Sequence, residues 1–207
     1  GCGIQTGAGG VMRSLAAKSG SSILIIGGGP VGLSAVMGAK IRQCETIILL
    51  EPMPSRRELA LEFGATHVLD PDEAGHLVSA GRASVPMGLD YAFDTAGIPE
   101  VLQSVMGCLG SMGILGVVGI SPPGTPLPGD LSTLMTFGQS VRGIIEGDSN
   151  PDEFIPELCE HYRAGRLPFD KLIKTYPLSE INQAISDQHE GKCVKVVLLP
   201  GDGEIDG

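Results

Sequence analysis

Residues Ser22-Ile23-Leu24-Ile25-Ile26 form an apolar, largely β-branched run that breaks into Gly27-Gly28-Gly29-Pro30-Val31-Gly32-Leu33. Gly27, Gly29 and Gly32 fit the pattern G-x-G-x-x-G. In that pattern the first glycine allows a tight turn, the second lets backbone approach a pyrophosphate, and the third lets a helix pack on its strand. The helix that follows directs its free N–H groups and positive dipole end at the phosphates. Pro30 suits an early helix position, where no backbone donor is needed. In a chain with 31 glycines the pattern alone says little, and its context decides. Thr46-Ile47-Ile48-Leu49-Leu50 reads as a second buried strand and closes on Glu51. That acid lies about 20 residues beyond the turn, the spacing of a carboxylate that accepts bonds from an adenosine ribose. Strand, turn, helix, strand and acid in this order predict a dinucleotide site.

At 207 residues and 42% hydrophobic content the chain can hold one full domain and part of a second. The net charge of −10 comes with no basic cluster, since Lys40, Arg42, Arg56 and Arg57 are scattered, so nucleic acid is excluded as a partner. The charge-free stretches 19–39 and 101–129 are long enough to cross a bilayer. Their glycines and prolines fall at strand–helix joints, so they read as buried parallel strands and not as membrane spans. The five cysteines, Cys2, Cys44, Cys108, Cys159 and Cys193, form no C-x-x-C pair, and an odd number argues against a disulfide framework. A reducing, cytoplasmic setting is expected. His67, His76, His161 and His189 show no metal spacing with any cysteine, and neither Ser14 nor Ser34 sits in a nucleophile elbow. The chain begins Gly1-Cys2-Gly3 without an initiating Met, which reads as a cut inside a longer protein.

Along the chain, residues 11–18 read as a helix stopped by Gly20. Further helices are expected over 31–42, 54–63, 72–79, 99–108, 151–164 and 178–189, and strands over 67–69, 89–94, 113–118, 140–145 and 194–199. Phe154, Ile155 and Leu158 would share one helix face. The proline-rich stretch 121–130 reads as a loop. This alternation predicts an α/β fold with a doubly wound, parallel, six-stranded sheet. The expected division is a connecting segment and helix over 1–21, a dinucleotide-binding domain over 22–149, a C-terminal segment over 150–200 and a disordered tail over 201–207.

Four stretches together resemble the zinc-dependent medium-chain alcohol dehydrogenases. They are Gly1-Cys2-Gly3-Ile4-Gln5-Thr6-Gly7-Ala8-Gly9, Gly27-Gly28-Gly29-Pro30-Val31-Gly32, Leu61-Glu62-Phe63-Gly64-Ala65-Thr66-His67-Val68 and Phe93-Asp94-Thr95-Ala96-Gly97. Gly165-Arg166-Leu167-Pro168-Phe169-Asp170-Lys171-Leu172-Ile173, with Tyr176-Pro177-Leu178 and Ile181-Asn182-Gln183-Ala184, is most similar to the aryl (benzyl) alcohol dehydrogenase branch. The resemblance runs to about residue 200 and covers only the C-terminal, coenzyme-binding portion of such an enzyme.

The resemblance implies a Rossmann sheet, NAD as cofactor, a catalytic zinc and a small-molecule alcohol or aldehyde, with hydride passing between the zinc-bound substrate and NAD. Cys2 would be the third protein ligand of that zinc. Thr6 and Val31 would touch the nicotinamide, and Gly27, Gly29, Pro30 and Gly32 would form the phosphate turn. Glu51 would bind the adenosine ribose, with Arg56 flanking the ribose or the adenine. Thr95, Ala96, Val118 and Ile120 would line the groove, and Lys195 would reach back to the pyrophosphate. A homo-oligomer joined through the sixth strand is implied as well. Two departures stand out. The family's usual acid is Asp, where this chain has Glu51. The family's N-terminal catalytic domain, which supplies the other zinc ligands and most of the substrate pocket, has no counterpart in the 207 residues, so Cys2 alone cannot hold a catalytic zinc. The apolar faces after residue 150 would normally pack on that domain and are expected to be exposed. Two alternatives remain open at this point: a stand-alone, non-catalytic NAD-binding module or decayed dehydrogenase, and a zinc-free member resembling quinone reductases.

Overall fold

The computed structural model describes residues 2–72, 81 and 83–201. The helix expected over 72–79, with His76, falls almost wholly outside the described residues, as does the tail from 202. Two compact units are divided after Leu167.

The first unit is built on a parallel sheet of six strands: β1 Ser22–Ile26, β2 Thr46–Leu50, β3 His67–Leu69, β4 Leu89–Asp94, β5 Leu109–Val117 and β6 Ser140–Gly143. Their order across the sheet is β3-β2-β1-β4-β5-β6. All of β1 and nearly all of β2 are buried, which is why they read in the sequence as unbroken apolar runs. The chain leaves β1 towards β2 on one side, and β4 returns to pair with β1 on the other: Ile26 lies level with Leu50 and with Asp94. This reversal of direction opens a crevice at the carboxyl ends of β1 and β4. Leu24, Ile26, Ile48, Leu50, Ala92 and Leu115 form the heart of one core cluster.

Helices α2 Pro30–Ile41 and α3 Pro54–Phe63 follow β1 and β2, each with Pro in its first turn, and α3 ends on left-handed Gly64. The helix α4 Pro99–Val105 runs into a 3₁₀ turn at Met106–Cys108. Strand β5 begins earlier than the expected residue 113, with an irregular register between Leu89 and Tyr91. Helix α5 Leu131–Phe137 was not foreseen; its Asp130 cap accepts from the Thr133 N–H at 3.0 Å.

The first helix differs from the sequence expectation. It spans α1 Cys2–Gly9, continues as a π turn over Gly10–Ser14, and ends before Lys18. Glycine normally disfavours helix. Here it permits contact: a Cβ on Gly7 would stand 2.0 Å from the Val31 carbonyl oxygen of α2, and one on Gly10 would lie 2.4 Å from Cε2 of Phe93. Close docking outweighs propensity. Helix α6 Pro151–Arg163 packs on the same element, with the Arg13 guanidinium 5.1 Å from the Phe154 ring centroid and Arg13 paired to Glu157. Phe154 and Leu158 are buried, whereas Ile155 is 48% exposed.

The second unit contains β7 Ile173–Pro177, α7 Ile181–His189 and β8 Lys195–Leu199. Strand β7 was not expected; it pairs in parallel with β8, and α7 is the crossover. Tyr176, Ala184 and Cys193 form its small core. The expected helix over 178–189 starts as a 3₁₀ turn, Leu178–Glu180, before α7 begins.

Candidate functional site

Strand β1 delivers the chain to Gly27, whose φ of +93° is left-handed and so suits glycine. The Gly27 N–H donates to the Leu50 carbonyl at 2.9 Å, which ties the turn to the end of β2. Gly29 is the helix cap, and a Cβ placed on it would meet nothing within 4 Å. Gly32 has no such room, because it faces the Gly27 backbone. Pro30 and Val31 open α2, and Gly3 of α1 lies beside Val31, its Cβ position 3.7 Å from Cγ2. The start of α1, with exposed Cys2 and half-buried Thr6, is therefore brought alongside the start of α2.

Glu51 follows β2 directly and is only 3% exposed. Its Oε2 accepts from the Gly28 N–H at 2.5 Å and its Oε1 from the Met53 N–H at 2.9 Å. Arg57, which the sequence reading passed over, donates from Nη1 to the Glu51 carbonyl at 2.8 Å and pairs with Asp70 at 2.7 Å. Arg56 is half-buried, and its Nε is buried without a hydrogen-bond partner.

On the other side of the crevice, the Thr95 hydroxyl donates to the Ile26 carbonyl at 2.7 Å, which fixes the end of β4 against the end of β1. Asp94 is fully buried. Its carboxylate accepts from the Ala96 N–H at 3.2 Å and the Gly97 N–H at 3.0 Å, and its carbonyl accepts from Val118 and Gly119. Burial pushes this carboxyl above its ordinary value, while the Gly97 and Ala96 N–H groups pull it back. These bonds are those of a turn residue at a strand end. The signal for it was the spacing of an acid and a glycine in Asp94-Thr95-Ala96-Gly97. Ala96 and Ile120 are exposed, and Ile120 is 95% so. The structure thus groups Gly27, Gly29, Pro30, Val31, Gly32, Glu51 and Thr95 around one crevice, with Ala96, Val118 and Ile120 on the loops after β4 and β5. Lys195 belongs to the second unit, where it lies in register with Ile173.

The open space at Gly29 and the anchored carboxylate beside the turn fit a dinucleotide. The donor set does not fit zinc in the same way. Among the described residues no group of three or more His, Cys, Asp or Glu side chains is placed to hold a metal ion, and Cys2 stands as a single exposed thiol. Among the described residues no helix is long and apolar enough to cross a membrane.

The family of zinc-binding dehydrogenases matches residues 30–161. Geraniol dehydrogenase from Castellaniella defragrans is 43% identical over 96% of this chain and 53% of its own length. A crystal structure of an alcohol dehydrogenase zinc-binding domain protein from Burkholderia ambifaria superposes with a TM-score of 0.91 at 48% identity, covering 96% of this chain and 53% of that one. Benzyl alcohol dehydrogenase from Acinetobacter calcoaceticus superposes with a TM-score of 0.93 at 38% identity, covering 97% and 55%. The chain therefore spans about half the length of the relatives it matches, namely their C-terminal half. With its sheet order, its glycine turn and this match, the chain belongs to the zinc-binding dehydrogenase family.

Proposed function

We propose that this chain is the NAD-binding portion of a zinc-dependent alcohol dehydrogenase. The observation that carries the reading is the pairing of an anchored, buried Glu51 carboxylate with a glycine turn that leaves open space at Gly29. Bound there, a nicotinamide dinucleotide supplies the redox chemistry. The chain's own residues position it. Gly27, Gly29 and Gly32 with Pro30 cradle the pyrophosphate at the start of α2. Glu51 accepts from the adenosine ribose and repels a 2′-phosphate, and Arg56 flanks it. Thr6, Val31, Thr95, Ala96, Val118 and Ile120 line the groove. Cys2 is one zinc ligand of the complete protein. With that single thiol, the 207-residue chain by itself turns over no alcohol.

Two relatives support a substrate class. Geraniol and benzyl alcohol are both primary alcohols with the hydroxyl carbon next to a π system, and the proposed substrate is an alcohol or aldehyde of that kind, aromatic in the first instance. Residues 150–200 are proposed to pack on an upstream catalytic domain. The edge strand β6, with exposed Met135 and Ile145 nearby, is proposed as the pairing edge of a homo-oligomer. A reducing cytoplasm suits five cysteines without a disulfide framework.

Calorimetric titration with NADH and with NADPH tests the central reading. Tighter NADH binding, weakened in Glu51→Ala, is expected. Folded protein that binds neither nucleotide overturns it.

A further inference from the structure

Glu51 is one methylene longer than the aspartate usual at its position, and the geometry uses that length. Its backbone is clamped on both sides: the Glu51 N–H donates to Leu69 at 3.0 Å, and its carbonyl accepts from Arg57. From this fixed base the carboxylate crosses from the end of β2 to the turn after β1, where Gly28 N–H meets Oε2 at 2.5 Å. The other oxygen returns to its own loop at Met53 N–H, 2.9 Å away. Gly28 is buried, so its N–H would otherwise be a donor cut off from water, which is costly. Gly28 is also shaped for this contact: a Cβ on it would lie 2.8 Å from Cγ and 2.9 Å from Oε2 of Glu51.

We infer that Glu51 is a positioning residue for the glycine turn, holding it in its phosphate-binding shape before any dinucleotide arrives. Bonds between a carboxylate and backbone N–H groups are charge-assisted and short, suited to fixing a turn. A carboxylate offers roughly four lone-pair sites. Two are used here, which leaves capacity for ribose hydroxyls, so both tasks can be met together. An aspartate on the same clamped backbone falls short by about 1.5 Å, one C–C bond, and cannot span Gly28 and Met53 at once. The effect on the turn is independent of any nucleotide; only its effect on affinity rests on the dinucleotide reading.

The test uses the 207-residue chain, its Glu51→Asp and Glu51→Gln variants, and Gly28→Ala. Amide hydrogen exchange is followed by NMR without nucleotide, with β1 amides as an internal reference, and NADH affinity is measured separately. In Glu51→Asp the Gly28 amide is expected to exchange about tenfold faster or more while β1 is unchanged. NADH should bind on the order of tenfold more weakly, although the charge is kept. Glu51→Gln keeps the length but offers one acceptor oxygen, so faster exchange is expected at one of Gly28 and Met53 and not at both. Gly28→Ala displaces the carboxylate without removing it, should speed exchange at Met53, and serves if the Glu51 variants do not fold. Unchanged exchange at Gly28 in Glu51→Asp, or an equal rise throughout β1, overturns the inference. Wild-type chain that binds no NADH yet shows the local exchange effect removes the dinucleotide reading and leaves the positioning role standing.

Discussion

Gly32 faces the carbonyl of Gly27 so closely that a Cβ on Gly32 would stand 1.7 Å from that oxygen. The contact is between backbones, so no flexible side chain can yield. Gly32→Ala is expected to cost about 3 kcal/mol or more, the range of overpacking that must shift backbone. Gly29→Ala is the opposite case, with φ −73° and open space around the new methyl group. Its stability should stay within about 0.5 kcal/mol of wild type, while NADH binding falls because the methyl occupies the space proposed for phosphate. Urea unfolding and NADH titration of the two variants check the contrast.

The docking of α1 on α2 makes a similar claim at another place. A Cβ on Gly7 would meet the Val31 carbonyl oxygen at 2.0 Å and Ser34 Cβ at 2.8 Å. Gly7→Ala should gain intrinsic helix propensity of about 1 kcal/mol and still lower the melting temperature. A rise in melting temperature would mean that α1 docks less tightly than described.

Asp94 gives a pH dependence of definite sign. Burial raises its folded pKa above the ordinary 3.8, so between those values the native state binds more protons than the unfolded chain. Its contribution is most favourable below 3.8 and is lost as pH rises through the raised value. Asp94→Asn has no proton to lose. The stability of wild type minus variant is expected to fall across that window and then level off. Urea titrations at stepped pH measure it, and a flat difference contradicts the account.

Asp187 behaves in the opposite sense. The Tyr176 hydroxyl donates to it at 2.6 Å and Gln183 at 2.8 Å, with Lys174 and Lys192 at 3.3 and 3.4 Å. Led by the Tyr176 bond, these hold its carboxyl well below the ordinary 3.8. This contribution is present above 3.8 and is lost as pH falls through the lowered value. Tyr176→Phe should move the Asp187 titration towards 3.8, read from its carboxyl carbon by NMR. An unmoved midpoint would assign the effect to Gln183 and the lysines.

The parts of the fold that could be read in the sequence are those whose burial is two-sided. Strands β1 and β2 lie inside the sheet and show as apolar runs, and the glycine turn between β1 and α2 follows from its spacing. Helix α1 was misplaced because its glycines argue against a helix until the neighbouring surface of α2 is known. Helix α5 places Leu131, Leu134 and Met135 at helical spacing, but it is short, follows a proline-rich stretch and has no fully buried residue, so that spacing did not stand out. Strand β7 is short, ends in Pro177 and gains its identity only from β8. In the candidate site, Glu51 was legible as an acid at the right spacing. Its bond to Gly28 depends on a distance between two strand ends, and the support of its backbone by Arg57 on the local path of the chain into α3, and spacing contains neither.

The pairing of β7 with β8 carries a practical consequence. Among the described residues no third strand joins them, so each has a flank of peptide groups without a neighbour in the sheet. Such flanks act as templates for other chains. This polypeptide alone is therefore expected to self-associate through β7 and β8, with a sedimentation coefficient that rises with concentration.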